Sequence, residues 1–333
     1  NMVKQNSITI TQQKLDQHKV SMQEVMEAVI KEINYFEKLK KCKYGNSDED
    51  EMYGIGLAIS YRGMSLGAEG TDFCAAIVNV QADGSVILET GVHENGQGLE
   101  TAMMIILSEQ LGIDIERIRY RRSSTSVIPD SGTTVASRGT IVGGGAIVVA
   151  VRELKKKFMK VLAPILEASI DDVEFKNNYI YAKNGKFISF DGAVKKMFAN
   201  QEYPNALGIF KAPRVTWDEE TGHGDAYFTW TYSCQAVELS VNKKTKKVKL
   251  LNAVAAHDTG KTINYQMALG QVYGGVAMST GYALHEKLEF ENGKIKSLNF
   301  DKYKIPRAND LPEIKAILIE NFDPNTLTGA KGI

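Results

Sequence analysis

The segment Gly91-Val92-His93-Glu94-Asn95-Gly96-Gln97-Gly98-Leu99-Glu100-Thr101 constrains this chain more than any other. Glycines on both sides of one glutamine describe backbone brought close to a bound group rather than a packed core. Residues 84–90 read as a strand leaving a turn, and Thr101 to Leu111 as a helix ending at Gly112. A glycine-rich turn between a strand and a helix N-terminus presents free N–H groups where a phosphate could be received.

The surrounding sequence continues the alternation of strands and helices. Ser21 to Leu39 places apolar residues at helical spacing, with Ser21 as cap and Glu24 completing a capping box, and Lys38 to Met52 reads as a charged linker. Tyr53 to Ser60 and Cys74 to Val80 read as strands, Ala82-Asp83-Gly84 as a hairpin turn, and Ile113 to Tyr120 as a further strand. Residues 63–72 form a glycine-bearing polar loop of unassigned duty. Thr140 to Ala150 predicts a helix of small residues extended through Arg152 to Lys160, a basic run read as a solvated face. Hairpin signals stand at Asn177-Asn178 and Asn184-Gly185, Ala226 to Val241 alternates as a strand, and Lys243-Lys244-Thr245 turns it into Val248 to Asp258. The expectation is an α+β fold of mixed sheets and helices. An N-terminal helix and linker (1–52) precede two closely joined parts, 53–139 and 140–333.

Composition excludes several classes. Forty Lys plus Arg balance forty Asp plus Glu, which argues against a surface built to hold nucleic acid. Three widely spaced cysteines, Cys42, Cys74 and Cys234, suggest neither a disulfide framework nor an iron–sulfur cluster, and fit a reducing compartment. The opening residues do not read as a signal peptide, and no apolar run approaches the roughly 20 residues of a spanning helix. A cytoplasmic chain without a membrane partner is expected.

Two further segments are candidates for holding a ligand. Asp130 to Thr140 combines hydroxyls with small side chains ahead of a helix, although a plain loop-to-helix cap fits it equally. From Asp258 to Gly281, Gly, Ala and Ser interrupt a helical pattern. Each interior glycine costs about 1 kcal/mol relative to alanine, so close approach by a ligand or by another helix is implied. Gly260-Lys261-Thr262 is no Walker loop, because Ala255 stands where the first glycine belongs, and no Gly-x-Gly-x-x-Gly turn follows a strand. His18, His93, His223, His257 and His285 form no metal-ligand spacing, and no nucleophile elbow is recognisable.

The motifs taken together are more specific than any one of them. Gly96 to Thr101, Val135-Ala136-Ser137-Arg138-Gly139-Thr140, Asp258 to Asn264, Gly270-Gln271-Val272-Tyr273-Gly274-Gly275, Tyr303-Lys304-Ile305-Pro306 and Gly329-Ala330-Lys331-Gly332 follow in an order that resembles the xanthine dehydrogenase and aldehyde oxidase family of molybdenum hydroxylases. The likeness runs from about Tyr35 to Ile333 and corresponds to the C-terminal half of the molybdenum-binding portion. It is strongest to separately encoded medium molybdopterin subunits of enzymes that hydroxylate nicotinate.

That resemblance implies a cofactor wall made of Gly96, Gln97, Gly98, Leu99, Glu100 and Thr101, of Ala136, Ser137 and Arg138, and of Gln271. Gln97 would contact the pterin and its pyrophosphate, Ala136 would face the metal pocket, and Ser137 and Gln271 would touch the cofactor. It implies molybdopterin cytosine dinucleotide with molybdenum and a sulfido or selenido ligand. It also implies a large molybdopterin subunit closing the site, with 2Fe-2S clusters and FAD on iron–sulfur and FAD subunits. The chemistry implied is insertion of water-derived oxygen beside the nitrogen of a small aromatic heterocycle, with a glutamate as base. That glutamate follows a Gly-x-Lys-Gly-x-Gly pattern in the family, whereas this sequence stops at Gly329-Ala330-Lys331-Gly332-Ile333, so no catalytic residue is assigned; as half of an active site whose other wall a large subunit would supply, the chain alone is expected to be inactive. Glu94 matches a family glutamate, while His93 and Asn95 depart from the common Thr and Met. Purine or aldehyde hydroxylation, or an assembly role without cofactor contact, are the alternatives.

Overall fold

The computed structural model describes residues 2–43 and 50–333. Helices α1 (Met22–Ile33) and α2 (Tyr35–Lys43) precede strands β1 (Glu51–Gly63), β2 (Phe73–Val80) and β3 (Val86–Thr90), helix α3 (Leu99–Leu111) and strand β4 (Ile118–Tyr120). Helix α4 (Gly144–Leu166) leads to β5 (Val173–Lys176), β6 (Tyr179–Ala182), β7 (Phe187–Ser189), α5 (Phe190–Ala199) and β8 (Asn205–Lys211). Strands β9 (Trp230–Asn242) and β10 (Val248–Asp258), helix α6 (Tyr265–Leu284) and strands β11 (Phe290–Glu291), β12 (Lys294–Ile295) and β13 (Glu313–Ile319) complete the order. The fold is α+β with mixed sheets, as the sequence pattern predicts.

Two four-stranded sheets carry the structure, and each takes strands from both sides of Thr140. In the first, ordered β1-β9-β10-β13, β9 pairs antiparallel with β1 and β10, while β13 joins β10 in parallel across the connection that contains α6. Alternation along β9 sends Trp230, Tyr232, Cys234 and Ala236 to one face, where they meet Met22, Val25, Val29 and Ile33 of α1. Burying each large apolar side chain there contributes roughly 1.5–3 kcal/mol. Val272 and Val276 of α6 cover Ala253 and Ala255 on the opposite face.

The second sheet, ordered β4-β3-β2-β8, pairs β3 and β4 in parallel and β2 antiparallel with both β3 and β8. Helices α3 and α4 pack against it in the largest apolar core. Close approach of α4 to β8 requires Gly208, since a Cβ there would stand 2.2 Å from the Ala146 carbonyl oxygen. A small sheet, β5-β6-β7, turns at Asn177 and Asn178, both left-handed as the hairpin signal predicts.

Several local expectations are corrected by tertiary partners. Ser21 precedes α1 but makes no cap bond. Its hydroxyl donates to buried Asp258, and Glu24 pairs with Lys19 and Asn321, so the capping box does not form. The predicted linker is helical through Lys43 and strand from Glu51, and its centre lies outside the described residues. Within the predicted strand 113–120, Ile115–Arg117 is a 3-10 turn and only Ile118–Tyr120 pairs. Residues 226–229 are likewise outside β9. The helix expected from Thr140 opens as a wide π-type turn, Gly139–Gly143, before α4 proper, and runs through Pro164 to Leu166.

Candidate cofactor-binding site

Strands β3 and β10, one from each four-stranded sheet, are each followed by a turn that leads to the same place. A cavity of about 310 Å³ is walled by four segments: Asn95 to Ala102, Thr134 to Thr140, Thr259 to Gln271, and Ala330 to Ile333. Of the residues predicted as a cofactor wall, Gln97, Gly98, Leu99, Ala136, Ser137, Arg138 and Gln271 line it. Gly96, Glu100 and Thr101 do not. The first sits on the outer side of the turn, and the other two lie in the first turn of α3 away from the lining. Tyr303-Lys304-Ile305-Pro306 also stands apart, with the Tyr303 hydroxyl bonded to Glu286.

The first wall differs from expectation in one respect. The N–H groups before α3 are not free. The Glu94 carboxylate accepts from Gly96 (2.7 Å), Gly98 (2.9 Å) and Glu100 (3.1 Å). Burial alone would raise this carboxyl, but the N–H groups of Glu100, Gly98, Gly96 and Leu99 outweigh it and hold Glu94 below its ordinary value. Gln97 folds back, donating to the His93 carbonyl at 3.1 Å and accepting from the Asn95 N–H.

The second wall hangs on Arg138, whose side chain is 1% exposed. Its guanidinium reaches Asp72 Oδ1 from two nitrogens (2.9 and 2.7 Å) and donates to the carbonyls of Phe73 (2.7 Å), Ser131 (2.8 Å) and Thr133 (2.8 Å). All five N–H donors are thereby engaged. Arg138 therefore offers the cavity backbone and shape, while its charge anchors the loop, and the unassigned 63–72 loop is explained as the carrier of Asp72. Ala136 and Ser137 follow each other in left-handed conformation (φ 51° and 58°), and the Ser137 hydroxyl donates to the Ile333 carbonyl at 3.2 Å.

Wall three begins where β10 ends. Asn264 caps α6, accepting from the Met267 N–H at 3.2 Å, and exposed Gln271 lies further along the helix. Wall four is tied to it by N–H donation from Lys331 to Thr259 (2.9 Å) and from Lys261 to Gly329 (2.7 Å). Beneath them, Lys331 and Asp258 form an ion pair of 2.7 Å with side chains 1% and 0% exposed. Gly260 N–H and the Ser21 hydroxyl complete the Asp258 carboxylate. The Lys331 ammonium also lies over the Tyr232 ring at 5.4 Å, and the Tyr232 hydroxyl is 2.7 Å from His18 Nε2. Burial, reinforced by nearby Lys331, lowers the His18 imidazole to about 4 against the opposing pull of Asp258 and Asp16.

No carboxylate side chain lines the cavity among the described residues. Its lining offers the amides of Asn95, Gln97, Asn264 and Gln271 and the hydroxyls of Thr134, Ser137, Thr140, Thr259 and Thr262. Its cations are already paired, Arg138 with Asp72, Lys331 with Asp258 and Lys261 with Glu109. Such a donor set fits a polar, phosphorylated ligand held by neutral donors and backbone. The motifs name individual residues of the first three walls, whereas Glu94, Thr134, Asn264 and residues 330–332 lie within named segments but receive their places in the site only from the fold. For that last wall the Gly329-Ala330-Lys331-Gly332 motif was the available signal.

Comparison with known proteins places this geometry. Residues 28–312 match the molybdopterin cofactor-binding domain family, and the chain belongs to that family. Its relatives bear out the resemblance to molybdenum hydroxylases. The chain is similar to aldehyde oxidase 4 of Cavia porcellus, 29% identical over 283 residues, which is 84% of this chain and 19% of that one. It is also similar to the gamma chain of the 6-hydroxypseudooxynicotine dehydrogenase complex of Paenarthrobacter nicotinovorans, 27% identical over 90% of this chain and 37% of the relative. Each relative is thus far longer than the stretch matched. The fold is that of quinoline 2-oxidoreductase from Pseudomonas putida 86, with a TM-score of 0.86 at 19% identity, covering 98% of this chain and 42% of that chain. Among the described residues no helix is long and apolar enough to cross a membrane.

Proposed function

We propose that this chain is the molybdopterin-binding subunit of a hydroxylase that places water-derived oxygen beside the nitrogen of an aromatic heterocycle, with nicotinate giving 6-hydroxynicotinate. One observation carries the reading: in a chain of the molybdopterin cofactor-binding family, four segments distant in sequence meet around one cavity lined by amides, hydroxyls and three cations that are already paired. The quinoline enzyme of the same fold, named for a nitrogen heterocycle, supports the substrate class.

The cofactor, read as molybdopterin cytosine dinucleotide with a sulfido or selenido ligand on molybdenum, would be held by Gln97, Gly98, Ala136, Ser137 and Gln271. When bound it supplies the two-electron acceptance and oxygen transfer of the reaction. This chain's residues do the rest: backbone at 97–98 and 136–139 orients the polar ligand, Gln271 offers a neutral amide, and apolar Leu99, Ile263 and Met267 keep water from the inner side. On this reading parts 53–139 and 140–333 each contribute two walls, and α1 of segment 1–52 braces β9 and β10 behind them.

A large molybdopterin subunit would close the chamber, with 2Fe-2S and FAD subunits receiving the electrons. Support comes from α6, which is apolar around its circumference although only Val272, Val276, Thr280 and Gly281 are buried. Met278 and Tyr282 stand 61% and 70% exposed, as a helix awaiting a partner would leave them. The test is purification of the native complex, assay of molybdenum and selenium, and turnover of nicotinate, xanthine and an aldehyde with one electron acceptor. Preference for nicotinate is expected; faster xanthine or aldehyde turnover overturns the substrate, and a complex without pterin overturns the reading.

A further inference from the structure

We propose that Glu94 is a positioning residue: its carboxylate takes the seat of an external anion at the N-terminus of α3 and fixes the glycine turn that carries Gln97 along the cavity wall. The proposal rests on the reading of that cavity as the pterin site.

The geometry is a small internal anion site. Glu94 Oε1 gathers the N–H groups of Gly96 and Gly98, and Oε2 that of Glu100, at 2.7, 2.9 and 3.1 Å. Converging N–H groups at a helix start favour negative charge, and here the chain supplies it. Gly96 and Gly98 take φ of 99° and 83°, a region that opposes side chains, and a Cβ on Gly98 would strike Met267 Sδ at 2.2 Å. Gln97 is thereby held between two left-handed residues that the carboxylate pins from outside. The same turn is registered against the second wall, because the His93 N–H donates to Thr134 Oγ1 at 2.9 Å.

Two consequences separate Glu94 from an ordinary cap. An amide cannot replace it, since Gln would turn an NH2 toward one of the donors. The N-terminus of α3 is also closed to a ligand's phosphate, so the anionic part of the ligand must use the 136–140 backbone or the α6 side of the cavity.

The experiment uses the assembled complex carrying Glu94→Ala, read by amide exchange over residues 93–101 and by pterin content. Exchange is expected to quicken about 10- to 100-fold, the loss of charge-assisted bonds to three amides. Pterin content is expected to fall, and millimolar formate, filling the vacated donors, to restore both. Glu94→Gln should lose pterin without responding to formate. If Glu94→Ala prevents assembly, Glu94→Asp, whose shorter arm reaches fewer donors, is read the same way. Unchanged exchange overturns the proposal. Faster exchange with full pterin, while Gln97→Ala and Gln271→Ala lower it, also overturns the proposal and leaves the cavity reading intact. If none of these variants lowers pterin content, the cavity reading itself fails.

Discussion

Replacing Lys331 by Met tests whether the fourth wall is held by its buried ion pair. Lys331 and Asp258 lie 2.7 Å apart with side chains 1% and 0% exposed, so the variant leaves a carboxylate in the interior without a counter-ion. Breaking such a pair from one side costs about 3–5 kcal/mol. The Ser21 hydroxyl and the Gly260 N–H still reach Asp258, which places the expected loss near the lower end, about 3 kcal/mol. Methionine keeps most of the volume, so the loss reports charge rather than a cavity. Urea denaturation followed by circular dichroism measures it as a shifted midpoint at unchanged slope. Lys331→Met with Asp258→Asn should lose less than the sum of the two single variants, since neither charge is then stranded. A single-variant loss below about 1 kcal/mol, or strict additivity of the pair, would refute the reasoning.

Arg138→Lys should destabilise by about 2–4 kcal/mol although the charge is kept, because three donors on a flexible stem replace five in a planar fork and leave buried acceptors at Ser131, Thr133 or Phe73 unpaired; faster amide exchange over 131–140 checks it. His18 is neutral in the fold, with a value of about 4 against 6.5. Between those values the unfolded chain binds the extra proton, so stability is complete above about pH 6.5 and declines as pH falls toward 4, by about 3 kcal/mol. Denaturation midpoints across that range should show a shallower slope in His18→Gln than in the native chain, the remainder carrying the same sign from His257, which burial also lowers. On α6, Met278→Asp should leave stability within about 0.5 kcal/mol, as surface changes do, yet abolish co-purification with the large subunit. Intact assembly would move the proposed contact elsewhere.

What the sequence revealed follows the range of the interactions involved. The hairpin at Asp83-Gly84, the end of α3 at Gly112, and the bounds of β10 depend on neighbours within a few residues, and each is legible. Ser21 shows the contrast. Its local pattern spells a capping box, but Asp258, 237 positions away, offers a buried charge that wins the hydroxyl. The alternation at Ile113 to Tyr120 misleads because β3 begins at Val86, opposite Ile118, so Ile115–Arg117 has no strand to pair with there and winds as a 3-10 turn. At the site, the motifs mark three walls by their glycines and amides. They are silent on the union of Arg138 with Asp72, which depends on residues 66 positions apart meeting in the core. Glu94 is visible in the sequence as a glutamate that matches the family's beside the turn; its duty emerges once the backbone directs three N–H groups at it.

The same device recurs beneath three walls of the cavity. Asp72 holds Arg138 under the second, Asp258 holds Lys331 under the fourth, and Glu94 gathers N–H groups under the first, so each wall's charge is engaged by its own backbone and partners before any ligand arrives. Charges used this way are costly to bury and weak sources of net stability, but they fix one geometry where apolar packing would tolerate several. Apart from the paired side chains of Arg138, Lys261 and Lys331, what faces the cavity is neutral: amides, hydroxyls and main chain. On the proposed reading, a phosphorylated group in such a cavity would be bound by the placement of many modest donors more than by its few, already paired cations. That accounts for motifs made of glycines and amides at the rim, while the charged residues that set them in place lie behind it or far away in sequence.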